Sequence, residues 1–179
     1  MFDCIKFIIV GIDEIDKMSY AKCIVELDDD LSIAPTFTSQ KEYKNQLNED
    51  YIYYLDPLKI NLSYKNNALL YIEHKDTIFS GITLDDLYNN DIIITSMSNY
   101  NSIPDIVFTK YNIVTIWLDT KNYTKSQSYF NEVKYIQEKI EKFPYMYFLD
   151  EDPQYVAETI LAFLNADENE KNSILNENC

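Results

Sequence analysis

The chain has 179 residues, enough for one domain with a sizeable core, and 46% of them are hydrophobic. Acidic residues outnumber basic ones 30 to 15, and the net charge of −15 argues against direct binding to nucleic acid or an anionic membrane. The single histidine, His74, excludes sites built on two or more His, and the three cysteines, Cys4, Cys23 and Cys179, show no paired spacing. That cysteine usage reads as a reduced, cytoplasmic protein with no metal site. No apolar run approaches membrane-spanning length, and the N-terminus reads as a strand, not a leader. Glycine occurs only at Gly11 and Gly81, where average usage would give about a dozen. Arginine is absent: every basic residue is Lys. Abundant Asn, Ile, Lys and Tyr suggest an AT-rich coding sequence, with a virus (host cytoplasm or virion) as one source.

The first element is a buried strand, Lys6 to Val10, followed at once by Gly11. A phosphate-binding loop reads Gly, four residues, Gly, Lys, then Ser or Thr. Gly11 and Lys17 fit that frame; Asp16 stands at the second Gly and Met18 at the hydroxyl, with Ser19 one residue late. Asp13, Glu14 and Asp16 put carboxylates where backbone N–H groups would cradle phosphate. The bland alternative is equally open: Gly11 ends a strand, and Asp13 or Asp16 caps a helix running to Leu27.

Asp28 to Asp30 reads as a turn, Leu31 to Ala34 as a short strand ended by Pro35, and Thr36 to Ser39 as polar and extended. Gln40 to Glu49, with Lys41 and Lys44, is helix or loop. Tyr51 to Leu55 is an aromatic strand broken by Pro57, and Asn61 to Asn67 reads as a hairpin turn with a strand on either side. Ala68 to Glu73 is a strand, and Ile78 to Gly81 a turn into a helix from Thr83 to Tyr88, with Thr83 as N-cap. Ile92 to Ile94 is the strongest buried strand; Ser102 or Pro104 starts a short helix; Asn112 to Leu118 is a further central strand. Thr124 to Lys142 is an amphipathic helix striped by Tyr129, Val133, Ile136 and Ile140, and Met146 to Leu149 is the last strand. Pro153 opens a helix to about Ala166, and 167–179 reads as a polar, frayed, disordered tail. Strand and helix alternate, so the fold class is α/β with a parallel sheet flanked by helices, in one domain over 1–166. A small β-rich insert spans about 36–81.

This arrangement resembles the guanylate kinase family of the P-loop nucleoside monophosphate kinase fold. The resemblance rests on the loop at Gly11 and Lys17 and on four further segments. Pro35-Thr36-Phe37-Thr38-Ser39-Gln40 stands where the family has Ser-x-Thr-Thr-Arg, and Asp50-Tyr51-Ile52-Tyr53 where it has Asp-Tyr-x-Phe. Tyr71-Ile72-Glu73 resembles its guanine-reading segment, and Phe79-Ser80-Gly81 with Thr83 its Tyr-Gly-Thr. The resemblance implies cofactor contacts at Gly11, Lys17 and Ser19 and substrate contacts at Thr38, Lys41, Tyr51, Glu73 and Thr83. It also implies an insert that is the nucleotide-acceptor lobe. It implies that an active chain would use ATP and Mg²⁺, with Lys17 as the catalytic lysine and Lys121 or Lys125 in the lid.

The departures weigh the other way. Phosphoryl transfer is positioning and charge stabilisation, and the family's guanidinium clamps have no counterpart here. The expectation is a catalytically inactive, guanylate kinase-like protein that binds a protein partner or plays a structural part, with no cofactor or metal. Its aromatic insert, Tyr43 to Tyr71, is the expected binding face, and a nucleotide is a second candidate ligand. The alternatives are a working kinase acting on GMP or dGMP, and an acidic surface that mimics DNA. Glu73 beside His74 reads as simple exposure, because adjacent strand residues face opposite ways.

Overall fold

A computed structural model describes residues 5–12, 15–41, 51–121 and 127–178, with backbone alone for 127–132 and 135. Strand β1 (Lys6–Gly11) is buried on both faces, as its unbroken apolar run requires. Asp16 caps helix α1 (Lys17–Leu27), which buries Ala21 and Ile24 one turn apart. The run Leu31 to Ala34 is less than a strand: a single parallel bridge joins Ile33 to Ile92, because Pro35 cuts the pairing short. Strands β2 (Thr36–Thr38) and β3 (Ile52–Tyr54) follow.

Pro57 lies past the end of β3, as expected, and also starts an element. It is the first residue of helix α2 (Pro57–Lys65), where its missing N–H costs nothing, and Asp56 caps that helix through Leu58 N at 2.8 Å. The expected hairpin over Asn61 to Asn67 is therefore helix and its terminal turn. The true hairpin lies later, between β4 (Leu69–Lys75) and β5 (Ile78–Thr83), and turns at Asp76 with φ 56°. The segment Ile78 to Gly81 is thus strand, not turn. Helix α3 (Leu84–Asn89) starts from a capping box in which Thr83 and Asp86 satisfy each other's backbone N–H. Strand β6 (Ile92–Ser96) runs straight into α4 (Met97–Ser102), a helix the sequence reading missed, and α5 (Asp105–Lys110) follows Pro104.

Strand β7 (Ile113–Asp119), helix α6 (Gln127–Ile140), strand β8 (Tyr145–Leu149) and helix α7 (Pro153–Asn165) complete the alternation. The tail is ordered: Asp167 and Glu170 form a capping box that opens α8 (Glu168–Glu177), and Ile174 and Leu175 pack on the core. Asn178 O accepts from Tyr147 N on β8.

The main sheet is parallel, in the order β6-β1-β7-β8. One of its faces is covered by α1, α7 and α8, the other by α4, α5 and α6. The second sheet is mixed, in the order β3-β2-β5-β4. It is continuous with the core, since Leu70, Tyr71 and Ile82 are buried with Ile8, Val10 and Tyr100.

Candidate functional site

The carboxyl ends of β6, β1 and β7 meet at Ser96, Gly11 and Asp119. The chain leaves β1 toward one side of it and returns through β7 on the other, and open parallel sheets bind ligands outside the strand ends at such a reversal. An open cleft of about 630 Å³ lies beside this rim, next to the start of α1, and Asp16, Asp119, Asp150 and Glu151 line it.

The helix N-terminus that borders it is capped from within the chain. The Asp16 carboxylate accepts from Ser19 N at 3.4 Å and from Ser19 Oγ at 2.6 Å. The Ser19 hydroxyl bond holds the Asp16 carboxyl below its ordinary range. Lys17 Nζ turns back to the carbonyls of Ile12 at 2.8 Å and Gly11 at 3.3 Å. Gly11 has ordinary backbone angles; a Cβ there would sit 2.7 Å from the Leu118 carbonyl, so strand packing accounts for it. Across the cleft, Asp119 accepts from Tyr147 Oη at 3.1 Å. Burial, then the Asp119 charge, pushes the Tyr147 phenol up to about 12. Asp150 accepts from the Thr120 hydroxyl and Lys121 N, and Tyr20 donates to Glu151 O at 2.8 Å.

A second, smaller cavity of about 190 Å³ sits on one face of the lobe. Thr38, Ser80 and Glu73 are direct cross-strand partners on β2, β5 and β4, so their side chains form one row. Thr38 is buried, Glu73 is exposed, and Asn99 Nδ2 on α4 donates to Glu73 Oε2 at 3.4 Å. Lys75 stands at the margin. Gln40 lies two residues beyond the end of β2; among the described residues its buried Oε1 has no partner.

The sequence-predicted residues divide accordingly. Ser19 lines the first cleft, with Gly11 at the end of β1 and Lys17 at the start of α1 behind it, and Thr38 and Glu73 line the second. Lys41 Nζ lies 5.2 Å from the ring centre of Tyr54, the register partner of Thr38. Tyr51 does not line the cavity: it packs beside α1, with Lys22 Nζ 5.8 Å above its ring. Thr83 spends its hydroxyl on the cap of α3, donating to Asp86 at 2.7 Å and accepting from Asp86 N at 3.0 Å. Asp13, Glu14, Lys44, Lys125 and the segment Gln40 to Glu49 beyond Lys41 lie outside the described residues.

Three contributors were not among the predicted contact residues. Ser80 was countable, because a hairpin turning at Asp76-Thr77 pairs 75 with 78 and 73 with 80. Asp119 was signalled only by an acid ending an apolar strand, and Asn99 by nothing local.

The whole-chain comparison falls on the same architecture. A guanylate kinase from Anaplasma phagocytophilum superposes with a TM-score of 0.50 at 13% identity, over 90% of this chain and 84% of that one. The fold is guanylate kinase-like. No protein-family model matches the chain, and no curated protein matches it by sequence. At this identity the likeness carries the guanylate kinase-like fold and nothing of the activity. Among the described residues no helix is long and apolar enough to cross a membrane, and no group of three or more His, Cys, Asp or Glu could hold a metal.

Proposed function

We propose that this is a guanylate kinase-like domain that has lost phosphoryl transfer and serves as a protein-binding or structural component. One observation carries the reading: the Asp16 carboxylate stands at the start of α1, where a phosphate would sit, and accepts there from Ser19 N and the Ser19 hydroxyl. A degenerate phosphate loop follows. Lys17 is committed to two carbonyls, Met18 offers no hydroxyl, and the facing wall carries Asp119, Asp150 and Glu151. These residues do not fit the triphosphate of ATP with its Mg²⁺, and the family's arginine clamps are absent from the chain. Loss of a single transition-state cation can slow such reactions by about 10³-fold or more.

The lobe supports a second reading. Thr38, Ser80 and Glu73 stand in one row, and Glu73 offers a carboxylate to a planar donor edge such as that of guanine. With Lys41 near an acceptor phosphate and Lys17 freed from its carbonyls, the chain would be a working nucleoside monophosphate kinase.

A coupled assay of ADP release with ATP, Mg²⁺ and GMP or dGMP separates the two. No turnover above background is expected. Turnover in the wild type that disappears in Lys17→Ala overturns the inactive reading. Separate melts with ATP–Mg²⁺ and with GMP add a binding readout, because a ligand at 100 times its Kd stabilises by about 2.7 kcal/mol. The expected result is no shift with ATP–Mg²⁺.

A further inference from the structure

Strand β4 is one of the two edges of the lobe sheet, opposite β3. Ser39 N donates to Phe79 O at 2.8 Å, so Phe79 and Gly81 aim their backbone groups at β2. Ile78, Ser80 and Ile82 therefore face β4, and their partners there are Lys75, Glu73 and Tyr71. The intervening residues Ile72 and His74 aim their N–H and C=O groups outward. The bulge between Leu69 and Tyr71, with Leu84 N bonded to Ala68 O, turns Leu69 outward too. Among the described residues these outward backbone groups have no partner.

A groove of about 450 Å³ runs along the Leu69–Ile72 half of this edge. Pro104 and Val107 form its far wall, and Tyr64 and Ile106 stand 64% and 69% exposed at its rims. No charged side chain lines it, in a chain with 45 charged residues, 30 acidic and 15 basic.

We propose that the β4 edge is a docking strand for one extended, apolar segment of a partner protein, with lysine or arginine flanking that segment. The segment pairs with the free backbone of Leu69, Ile72 and His74 and sends alternate side chains into the groove. A walled groove suits one strand better than a second sheet. The far half of β4 carries Glu73, His74 and Lys75, which discourage sheet-to-sheet pairing with another copy. Glu73 and the net charge of −15 favour basic flanks. The proposal rests on reading the lobe as a protein-binding element and deepens it; it does not depend on the first cleft.

The probe is the blocked peptide Lys-Lys-Val-Tyr-Val-Ile-Val-Thr and a twin N-methylated at alternate amides, titrated by anisotropy against the full chain. Binding is expected to weaken at least about tenfold with the twin, whose side chains are unchanged. The same loss is expected in Ile72→Pro, which removes an N–H that β5 does not use. The Ile72 and His74 amides should gain protection from hydrogen exchange in the complex. Should Ile72→Pro misfold, Ile106→Glu at the far rim must show the loss. Equal binding of the twin, binding abolished by salt alone, or self-association in place of peptide binding each overturn the proposal. ATP turnover by the same preparation would sink the inactive-kinase reading and leave the docking result standing.

Discussion

Asp16 is both the residue that closes the first cleft and the N-cap of α1. Replacing it with Ala should cost about 0.5–2 kcal/mol, read as a shift of the denaturation midpoint. Its pKa is depressed in the fold, so its contribution is present above the unfolded value of 3.8 and lost as pH falls through the lower folded value. The gap between wild type and variant should close under acid conditions; a constant gap across that range would show that the cap is not the cause. Gly81 is a second strict position. A Cβ there would collide with the Tyr71 carbonyl and lie 3.0 Å from the Phe37 ring. Gly81→Ala should cost about 3 kcal/mol, the upper end of overpacking, with faster hydrogen exchange first in β2, β4 and β5. Both glycines of this chain sit where a neighbouring backbone leaves no room for a Cβ. The left-handed turns instead use Asn67, Asp76, Asn112 and Asp150. That division explains what the loop motif concealed. Gly11 and Lys17 were legible as letters, but their spacing could not show that one packs on Leu118 and the other binds its own loop.

Two helix ends are held by lysines reaching in from other elements. Lys6 Nζ donates to Tyr88 O and Asn90 O at the end of α3. Lys139 on α6, 7% exposed, donates to Tyr100 O, Asn101 O and Ile103 O at the end of α4. A cation there complements the helix dipole and satisfies carbonyls at the helix end, sharing Tyr100 O with the Ile103 N–H. Lys139→Met keeps the stem but takes the cation from Asn101 O and Ile103 O, and should cost about 1–3 kcal/mol in a chemical melt. Lys142→Ala, which breaks only an exposed 3.3 Å pair with Asp105, should cost less than about 1 kcal/mol. Equal losses from the two variants would refute the pinning role. No local signal marks such pins, because each joins residues far apart in the chain. Elements were legible where apolar period and caps agreed, as in β1, β7, α1 and α7. They were misread where one residue type has two uses: Pro57 as breaker or first helical residue, and Asp167 as tail or cap. Helix α4 was lost because Ser96 ends a strand and caps a helix at once.

For the whole molecule, the sequence pattern carried the α/β class and the lobe, but not the sharing of one core between the two sheets. That sharing buries tyrosines at the junction, and it sets the alkaline limit of the fold. Tyr71 reaches from β4 to donate to Ile94 O on β6, and Tyr100 pairs its hydroxyl with Thr115 at 2.8 Å. Burial raises the phenol pKa of Tyr53, Tyr71, Tyr100 and Tyr147, with Tyr100 and Tyr147 pushed up to about 12. Each binds its proton more tightly folded than unfolded. The stability each contributes is therefore complete below the unfolded value of 10.0 and lost as pH climbs toward the folded values. Lys139 works in the opposite sense: desolvation lowers its pKa from 10.5, so stability rises with pH across the window just below that value. The sum is a curve that holds up to about pH 10 and then falls steeply. Tyrosinate absorbance followed beside far-ultraviolet circular dichroism should resolve two groups among the 16 tyrosines. Exposed phenols ionise first with helix signal intact, and the junction phenols ionise only as that signal collapses. A single ionisation step near pH 10.0 with the dichroism unchanged would mean that Tyr71 and Tyr100 are not held in a common core.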